Sequence, residues 1–367
     1  MEQVNERRLD GIDVLRGVAA TMIIAFHALF IGGFDGKTSF DPVITKLDIG
    51  VRLFYALSAF SLMYGYDKKI EMENGLQKFY VSRFFRIAPL FYLCIIFYLI
   101  AMPKWFNTSV EITDLLTNLT FIFGILPGKH ESVVWAGWSL GVEWIFYFMF
   151  PLFIICSKNI KNTMVLFILS IFIFYNFDIL GAELLKISNS AFELNFLHHI
   201  VFFISGILSY RLFKVINFNK KVFRITFPVA IISILYLYFF TSFLGERIGD
   251  LLMACNFILI ILYFSYFPAK YFTNKFFITL GLSSFGLYLL HPIVIIIYLK
   301  TDILNKLNLI PQNGNGAFFV FFAFTFLITF ILASVSYKFF EYPMMKLGKK
   351  IANKKSIDIG TEKRKIA

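Results

Sequence analysis

The sequence predicts an all-α integral membrane protein with about ten transmembrane helices. Hydrophobic residues make up 58% of the 367-residue chain and charged residues only 16%, whereas soluble domains carry about 25% charged residues. The hydrophobic residues are gathered in runs close to twenty residues long, the length that an α-helix needs to cross a bilayer. Together these observations exclude an ordinary soluble domain.

Ten apolar runs are candidate membrane spans. They cover residues 12–33, 48–66, 87–102, 138–157, 163–181, 197–213, 225–243, 250–267, 277–299 and 317–338. An eleventh run, 115–126, has only a dozen residues, so we expect it to be re-entrant or interfacial and not spanning.

The basic residues predict the orientation. With both termini in the cytoplasm, the cytoplasmic segments hold 25 of the 35 Lys and Arg residues and the outer loops hold 8, as the positive-inside rule requires. The alternative, in which 115–126 spans the membrane, inverts everything after it and places the basic loop 211–224 outside. We therefore predict one transmembrane domain, 1–345, and a disordered basic cytoplasmic tail, 346–367.

The net charge of +12 is thus mainly a topology signal. The basic tail is typical of a segment that lies near anionic membrane lipid, and it gives no reason to expect nucleic acid as a partner. Cys94, Cys156 and Cys255 lie inside apolar runs, where we expect small buried packing residues. No set of histidines, cysteines and carboxylates has the spacing of a metal site.

The first span carries two ionisable residues on one face. Arg16 and His27 are eleven positions apart, which brings the helix round to within about 20° and separates them by about 16 Å along its axis. Because an ionised residue in lipid costs about 3 kcal/mol, the pair indicates a polar path through the protein interior. Asp13 lies about one turn before Arg16 on this helix.

His27 is a candidate general base, since the pKa of histidine lies near neutrality and an imidazole can take a hydroxyl proton. The alternative is a histidine that is hydrogen-bonded inside the helix bundle. Glu143 lies about one and a half turns into the fourth span, where a carboxylate marks a functional site by default. Its expected partners are His27, which it would orient and stabilise when charged, and Arg52.

Arg52 lies near the outer end of its span, where it either snorkels to the interface or has a functional role. Arg83 and Arg86 are three residues apart and share one helix face at the cytoplasmic side. Two guanidinium groups so placed are typical of a phosphate-binding fork, although positive-inside anchoring explains them equally well.

Six further residues are supporting candidates. Ser58 is small enough for close helix packing, Trp138 and Ser139 begin the fourth span, and Tyr288 and His291 share a face just before Pro292. The sixth, Glu341, sits at the inner end of the last span.

These motifs together resemble the acyltransferase-3 family of membrane acyltransferases. The matching elements are Asp13-Val14-Leu15-Arg16-Gly17 with His27, the RxxR pair Arg83 and Arg86, the WSLxxE segment from Trp138 to Glu143, Tyr288 with His291-Pro292, and Phe340-Glu341-Tyr342-Pro343. The chain departs from the family pattern at Arg52, where an acidic residue is common, and at Ala59, where glycine is usual.

The resemblance implies an acetyl-CoA-dependent O-acetyltransferase, a multi-pass protein of the bacterial inner membrane. It moves an acyl group, usually acetyl, from cytoplasmic acyl-CoA to a hydroxyl of an extracytoplasmic glycan or glycolipid, such as O-antigen, capsule or exopolysaccharide. The acyl-CoA is a co-substrate, and no permanently bound cofactor or metal is expected.

Residues and resemblance combine into one hypothesis. Arg83 and Arg86 contact donor phosphates, Arg16 lies at the pore mouth, His27 takes the hydroxyl proton and Glu143 orients His27. The alternative from another class is a proton-coupled transporter or flippase that uses Arg16, His27 and Glu143 as a relay, and a third is a structural or sensor protein. The sequence leaves open the glycan, an acyl-enzyme intermediate and the oligomeric state.

Overall fold

The computed structural model describes residues 8–126, 128–184, 194–216, 228–233, 245–267, 274–311 and 314–353. Within these ranges the protein is all-helical, and eight helices are long and apolar enough to cross a membrane. The prediction of a multi-pass helical membrane protein is therefore confirmed.

Thirteen α-helices are used below. They are α1 Asp10–Phe30, α2 Asp41–Ile44, α3 Ile49–Tyr66, α4 Gly75–Phe106, α5 Ile112–Leu119, α6 Trp138–Cys156, α7 Ile160–Leu184, α8 Phe196–Val215, α9 Glu246–Tyr266, α10 Lys275–Leu282, α11 Ser284–Thr301, α12 Ile303–Lys306 and α13 Gly314–Ser336. A short 3₁₀ turn, Thr45–Asp48, joins α2 to α3.

The predicted spans and the observed helices differ in three places. The run 48–66 forms α3, which is less apolar than the others because it carries Arg52 and several polar residues, and it is not among the eight. The run 277–299 is divided at Ser283 into α10 and α11. Most of the run 225–243 lies outside the described residues.

The short run 115–126 forms α5 and the 3₁₀ turn Ile122–Gly124. An eight-residue helix is only about 12 Å long, far less than the roughly 30 Å of a bilayer core. This segment therefore lies against the bundle without crossing it.

The last helix runs further than its apolar residues do. It continues from α13 through a π turn, Tyr337–Glu341, to Asn353. Gly348 in this extension lies so close to α4 that an added Cβ would be 2.6 Å from the Cβ of Phe85. Residues 346–353, predicted as the start of a disordered tail, are thus helical because they pack against α4, and 354–367 lie outside the described residues.

Helix α1 is central to the bundle, where it contacts α3, α10, α11 and α13. A second group of helices is built around α8, which packs against α3, α7 and α9. Glycine permits the closest approaches: an added Cβ at Gly281 would lie 2.0 Å from the carbonyl oxygen of Asp13, and one at Gly206 would lie 2.1 Å from that of Ala56.

Two arginine–carboxylate pairs join α3 to its neighbours, and we call these four residues the ion-pair seam. Arg211 of α8 donates to both carboxylate oxygens of Asp67, at 2.7 and 2.9 Å. Arg52 lies 2.9 Å from Asp250 of α9. Arg52 therefore neither snorkels free nor pairs with Glu143, since Asp250 on the facing helix neutralises it.

The cysteines only partly follow the expectation of buried packing. Cys94 is buried, whereas Cys156 and Cys255 are exposed on the outside of the helix bundle. A thiol is a small and weakly polar group, so the apolar surroundings that we predicted are compatible with a position facing lipid as well as with one in the core.

Candidate active site

A cavity of about 370 Å³ lies where α1, α3, α4, α6 and the α10–α11 junction meet. We call it the arginine cavity because Arg16, Arg83 and Arg86 line it. Five more predicted site residues, from α1 and three further helices, also line it: Asp13, Ser58, Ser139, Glu143 and Tyr288. The fold thus gathers these predicted residues at one place.

The three arginines have few partners. Arg83 lies over the rings of Tyr66, at 5.4 Å, and Tyr147, at 6.0 Å. Its Nε is buried and has no hydrogen-bond partner among the described residues. Arg86 donates to the sulfur of Met345 at 3.3 Å.

Arg16 makes no hydrogen bond or ion pair with any residue in the part of the chain that the structure describes. In that same part, no carboxylate lies within salt-bridge distance of Arg16, Arg83 or Arg86, and Asp13 is bound by Arg8 at 2.7 Å. The cavity wall holds these three arginines against two carboxylates, Asp13 and Glu143. An excess of positive charge in a protein interior is costly, so the cavity is suited to an anionic ligand.

Glu143 is held by hydroxyl groups. Ser58 of α3 donates to its Oε1 at 2.7 Å, and Tyr147, one turn along α6, donates to the same oxygen. Arg16 and Arg83 lie within electrostatic reach of this carboxylate. The expected hydrogen bond with His27 is therefore replaced, because the nearer hydroxyl groups of Ser58 and Tyr147 occupy Glu143.

His27 is paired with His291 instead. The His27 Nδ1 lies 2.8 Å from the His291 Nε2, and the two rings stack with their centroids 4.9 Å apart. The His291 Nδ1 lies 3.0 Å from the carbonyl oxygen of Leu287. Helix α1 and helix α11 each supply one imidazole, and α11 is held against α1 along this length.

The hydrogen bonds assign the protons of this histidine pair. A carbonyl oxygen can only accept, so the His291 Nδ1 must carry a proton and donate it to Leu287. In a neutral His291 the Nε2 is then the acceptor, and the His27 Nδ1 must be the donor. This tautomer leaves the lone pair on the Nε2 of His27, which is the atom that a general base needs.

Tyr288 connects the histidine pair to the arginine cavity. Its ring centroid lies 6.1 Å from that of His291, and its hydroxyl donates to the carbonyl oxygen of Ala136. Since that donation uses the only hydroxyl proton, Ser139 must donate to Tyr288, at 2.6 Å. His291 is therefore one helical turn from Tyr288, which lines the cavity together with Ser139.

Two more supporting candidates lie outside the cavity wall, as His291 and Arg52 do. Glu341 is buried behind α11, where it accepts a hydrogen bond from Ser336 at 3.2 Å and crowds Gly286. Trp138 lies beside His199, with ring centroids 5.6 Å apart and the rings tilted by 32°. Neither residue lines the arginine cavity.

Our sequence analysis missed several residues of the site. Tyr147 follows Glu143 by four positions, so the helical period alone could have indicated it. Tyr66 and Met345 come from other segments of the chain, and nothing near them in the sequence points to the arginines. The pairing of His27 with His291 joins positions 264 residues apart.

Comparison with known proteins gives one consistent result. A family model described as an acyltransferase domain matches residues 9–334. The peptidoglycan O-acetyltransferase OatA of Listeria monocytogenes is 25% identical, in a match that covers 94% of this chain and 57% of the relative. This chain thus spans little more than half of that relative.

Two other relatives match a smaller share of this chain. ORF330 of Acidianus two-tailed virus, provisionally named an acetyltransferase, is 25% identical over 76% of this chain and 80% of its own length. Protein 2 in the picA locus of Rhizobium radiobacter is 32% identical, over 38% of this chain and 79% of its own. No solved structure shows a significant match.

Proposed function

The chain belongs to the acyltransferase-3 family of membrane acyltransferases, and we propose that it moves an acetyl group from cytoplasmic acetyl-CoA to a glycan hydroxyl across the membrane. The observation that carries the proposal is one arrangement: three arginines that form no ion pair with a carboxylate of the described residues line a cavity, and a histidine pair lies one helical turn from its wall. The orientation proposed from the basic residues puts the arginines toward the cytoplasm.

The arginine cavity binds the donor in this proposal. Coenzyme A carries several phosphate groups, and a guanidinium group binds phosphate oxygens in a bidentate manner. Tyr66 and Tyr147 flank the Arg83 guanidinium, so its direction is set before the ligand arrives. Arg16 and His27 are about 16 Å apart along α1, a distance that the extended pantetheine arm is long enough to cover.

The reaction then needs one proton transfer in each direction. The Nε2 of His27 takes the proton of the acceptor hydroxyl while that oxygen attacks the thioester carbonyl carbon. The C–S bond breaks, the oxygen–acetyl bond remains, and the proton on His27 passes to the departing thiolate. His291 accepts the Nδ1 hydrogen bond throughout, which fixes the ring and stabilises its charged form.

Direct attack fits the surroundings of His27 better than an acyl-serine or acyl-cysteine route. The ring contacts of His27 in the described residues are with Phe26 and His291, and its hydrogen bond is with His291. Glu143 acts at a distance in this proposal, where it balances the charge of Arg16 and Arg83. Peptidoglycan, the acceptor in the name of OatA, is one glycan to test beside O-antigen, capsule and exopolysaccharide.

The test uses the full-length chain in lipid nanodiscs with radiolabelled acetyl-CoA and soluble peptidoglycan fragments. We expect label to appear on the sugar, and we expect His27→Ala to lower the rate by about 10²–10⁴-fold, the usual contribution of general-base catalysis. His198→Gln, a histidine outside both the cavity and the pair, is the matched control. Undiminished transfer by a folded His27→Ala protein refutes the mechanism.

A second pair of variants tests the histidine pair. The amide oxygen of Gln in His291→Gln can still accept from the Nδ1 of His27, whereas the methyl group in His291→Ala cannot. We therefore expect the Gln variant to keep more activity than the Ala variant, with a pH–rate profile closer to wild type. Equal loss in both would assign His291 a packing role only.

A transporter of anions is the second candidate, since the cavity suits an anion whether or not a reaction follows. Proteoliposomes separate the two functions. A transporter moves its substrate without acetyl-CoA and leaves it unmodified, whereas the acyltransferase leaves its acceptor unchanged until acetyl-CoA is added.

A further inference from the structure

A second cavity, of about 410 Å³, lies between the segment that leads into α5 and the loop 128–135. Its polar and aromatic lining includes Glu111, Asp114, Lys129, His130 and Trp135. We call it the loop cavity. It shares no lining residue with the arginine cavity, so it is a separate site.

The wall of this cavity is preformed by one buried side chain. Asn118 of α5 is 1% exposed. Its amide nitrogen donates to the carbonyl oxygen of Asp114 at 2.8 Å, and its amide oxygen accepts from the Ser132 hydroxyl at 2.8 Å and from the Val133 backbone at 3.1 Å. These bonds fix the loop against α5, so the cavity does not depend on a ligand for its shape.

The charges of the loop cavity are mostly satisfied internally. The ammonium group of Lys129 lies 2.5 Å from Asp114 and 3.4 Å from Glu111, so the carboxylates already hold a cation. A metal ion would have to displace Lys129. Each carboxylate still has a second oxygen, and such oxygens accept hydrogen bonds from neutral hydroxyl groups.

His130 supplies a buried polar atom without a partner. The residue is 6% exposed, and its Nδ1 makes no hydrogen bond within the described part of the chain. A buried polar atom normally has a partner, and this one belongs to a residue of the cavity wall. Burial also lowers the pKa of His130, so the ring is neutral near pH 7 and can both donate and accept.

Trp135 gives the cavity an apolar face. Its ring packs against Phe106, at 5.3 Å, and near Tyr98, at 6.3 Å. A rigid aromatic plane next to carboxylate, imidazole and ammonium groups suits a ring with an apolar face and several hydroxyl groups, that is, a sugar. A polyanionic ligand would be poorly matched to this cavity, because the acidic residues Glu111, Asp114 and Glu131 outnumber Lys129.

We propose that the loop cavity binds a neutral sugar ring of the acceptor glycan. This inference rests on the proposed function, since it assigns that function's acceptor a place. The same loop that forms the cavity wall continues to Ala136, whose carbonyl oxygen accepts from Tyr288, and Tyr288 lies beside His291. A glycan bound at the loop cavity therefore contacts a segment that is hydrogen-bonded to the reaction centre.

The experiment measures binding without the donor. Soluble peptidoglycan fragments are titrated by saturation-transfer NMR onto the full-length chain in nanodiscs, and acetyl-CoA is titrated separately. We expect Trp135→Ala and His130→Gln each to weaken fragment binding by about tenfold, the effect of one lost ring contact or one hydrogen bond to a buried group. Acetyl-CoA binding should not change. Glu71→Gln, in a loop outside both cavities, is the control.

The outcomes separate the two proposals. Equal fragment affinity in wild type and in both folded variants overturns the loop-cavity site, as does absence of binding to the wild type. If fragments bind at the loop cavity but acetyl-CoA is never consumed, the acceptor site stands and the proposed acyl transfer fails. His130→Gln keeps a side chain of similar size, so it remains informative if Trp135→Ala does not fold.

Discussion

The ion-pair seam and the arginine cavity both place arginines among apolar helices, but they treat the charge in opposite ways. In the seam, Arg211 binds Asp67 through two hydrogen bonds and Arg52 lies 2.9 Å from Asp250. In the cavity, the described residues offer Arg16, Arg83 and Arg86 no carboxylate within salt-bridge distance. The comparison teaches that the partner, and not the charge, separates a structural arginine from one that is available to a ligand.

The largest expected effect is on stability, at the seam. Arg211→Gln removes the bidentate partner of Asp67 and leaves this carboxylate with Tyr210, at 2.9 Å, and the more exposed Lys214, at 3.4 Å, in a site where the side chains of Arg211 and Asp67 are about nine-tenths buried. Breaking a buried ion pair in this way costs about 3–5 kcal/mol. We therefore expect a markedly lower Tm in nanodiscs and an unchanged KM for acetyl-CoA in the folded fraction.

The pH dependence checks the cause of that loss. Burial raises the pKa of Asp67, but the hydrogen bonds and the charge of Arg211 lower it by more. The pKa of Asp67 in the folded protein is therefore below its ordinary value. The pair therefore stabilises the protein at pH values above the pKa of Asp67 in the unfolded chain, about 3.9. This stabilisation is lost as the pH falls through the pKa of Asp67 in the folded protein. The Tm difference between wild type and Arg211→Gln should shrink below about pH 4. A difference independent of pH would contradict this account.

The next effect is on donor binding, in the arginine cavity. Arg83→Gln and Arg86→Gln each remove one charged hydrogen-bond donor, worth about 1.5–3 kcal/mol, so we expect the KM for acetyl-CoA to rise about 10–100-fold. The stability of Arg86→Gln should stay the same or increase, because Arg86 and Arg16 repel each other. Kinetics and thermal scans on the same samples measure both quantities.

A lower Tm and an unchanged KM for acetyl-CoA in both Arg83→Gln and Arg86→Gln would contradict this expectation. The cavity arginines would then be structural residues, like those of the ion-pair seam. Arg86→Lys sharpens the comparison, since lysine keeps the charge but loses the bidentate geometry. An intermediate KM for this variant is the expected result.

The smallest effect is at the other end of the seam. Arg52 is 24% exposed and its partner Asp250 is 13% exposed, so their pair is less buried than that of Arg211. We expect Arg52→Gln to cost about 1–2 kcal/mol of stability with no change in the KM for acetyl-CoA. Arg52→Gln combined with Asp250→Asn should recover part of the loss. A donor KM that rises with Arg52→Gln would move this residue into the site.

Much of the architecture could be predicted from hydropathy alone. A membrane span must be apolar over about twenty residues, so the runs in the sequence mark helices such as α1, α6 and α8 within a few residues. The division at Ser283 was not visible, because both halves of that run are equally apolar. The helical extension to Asn353 was also hidden, since it depends on packing against α4.

The site was predictable in composition but not in its pairings. Charged residues inside apolar spans are few, and this alone selects Arg16, His27 and Glu143. Which charge meets which partner depends on how distant helices pack, and the sequence carries no local signal for that. His291 for His27 and Asp250 for Arg52 both replace the partner that we expected.

The π turn Tyr337–Glu341 has a consequence for insertions and deletions. A π turn holds one more residue than the α-helical turn it replaces, so the helix beyond it is rotated by about 100° relative to an uninterrupted one. Met345 reaches Arg86, and Gly348 reaches Phe85, only with this offset. Deleting a single residue within the turn would therefore restore a regular helix and keep both contacts on α4, whereas the same deletion between Glu341 and Met345 would rotate both contacts away from α4 by about 100°.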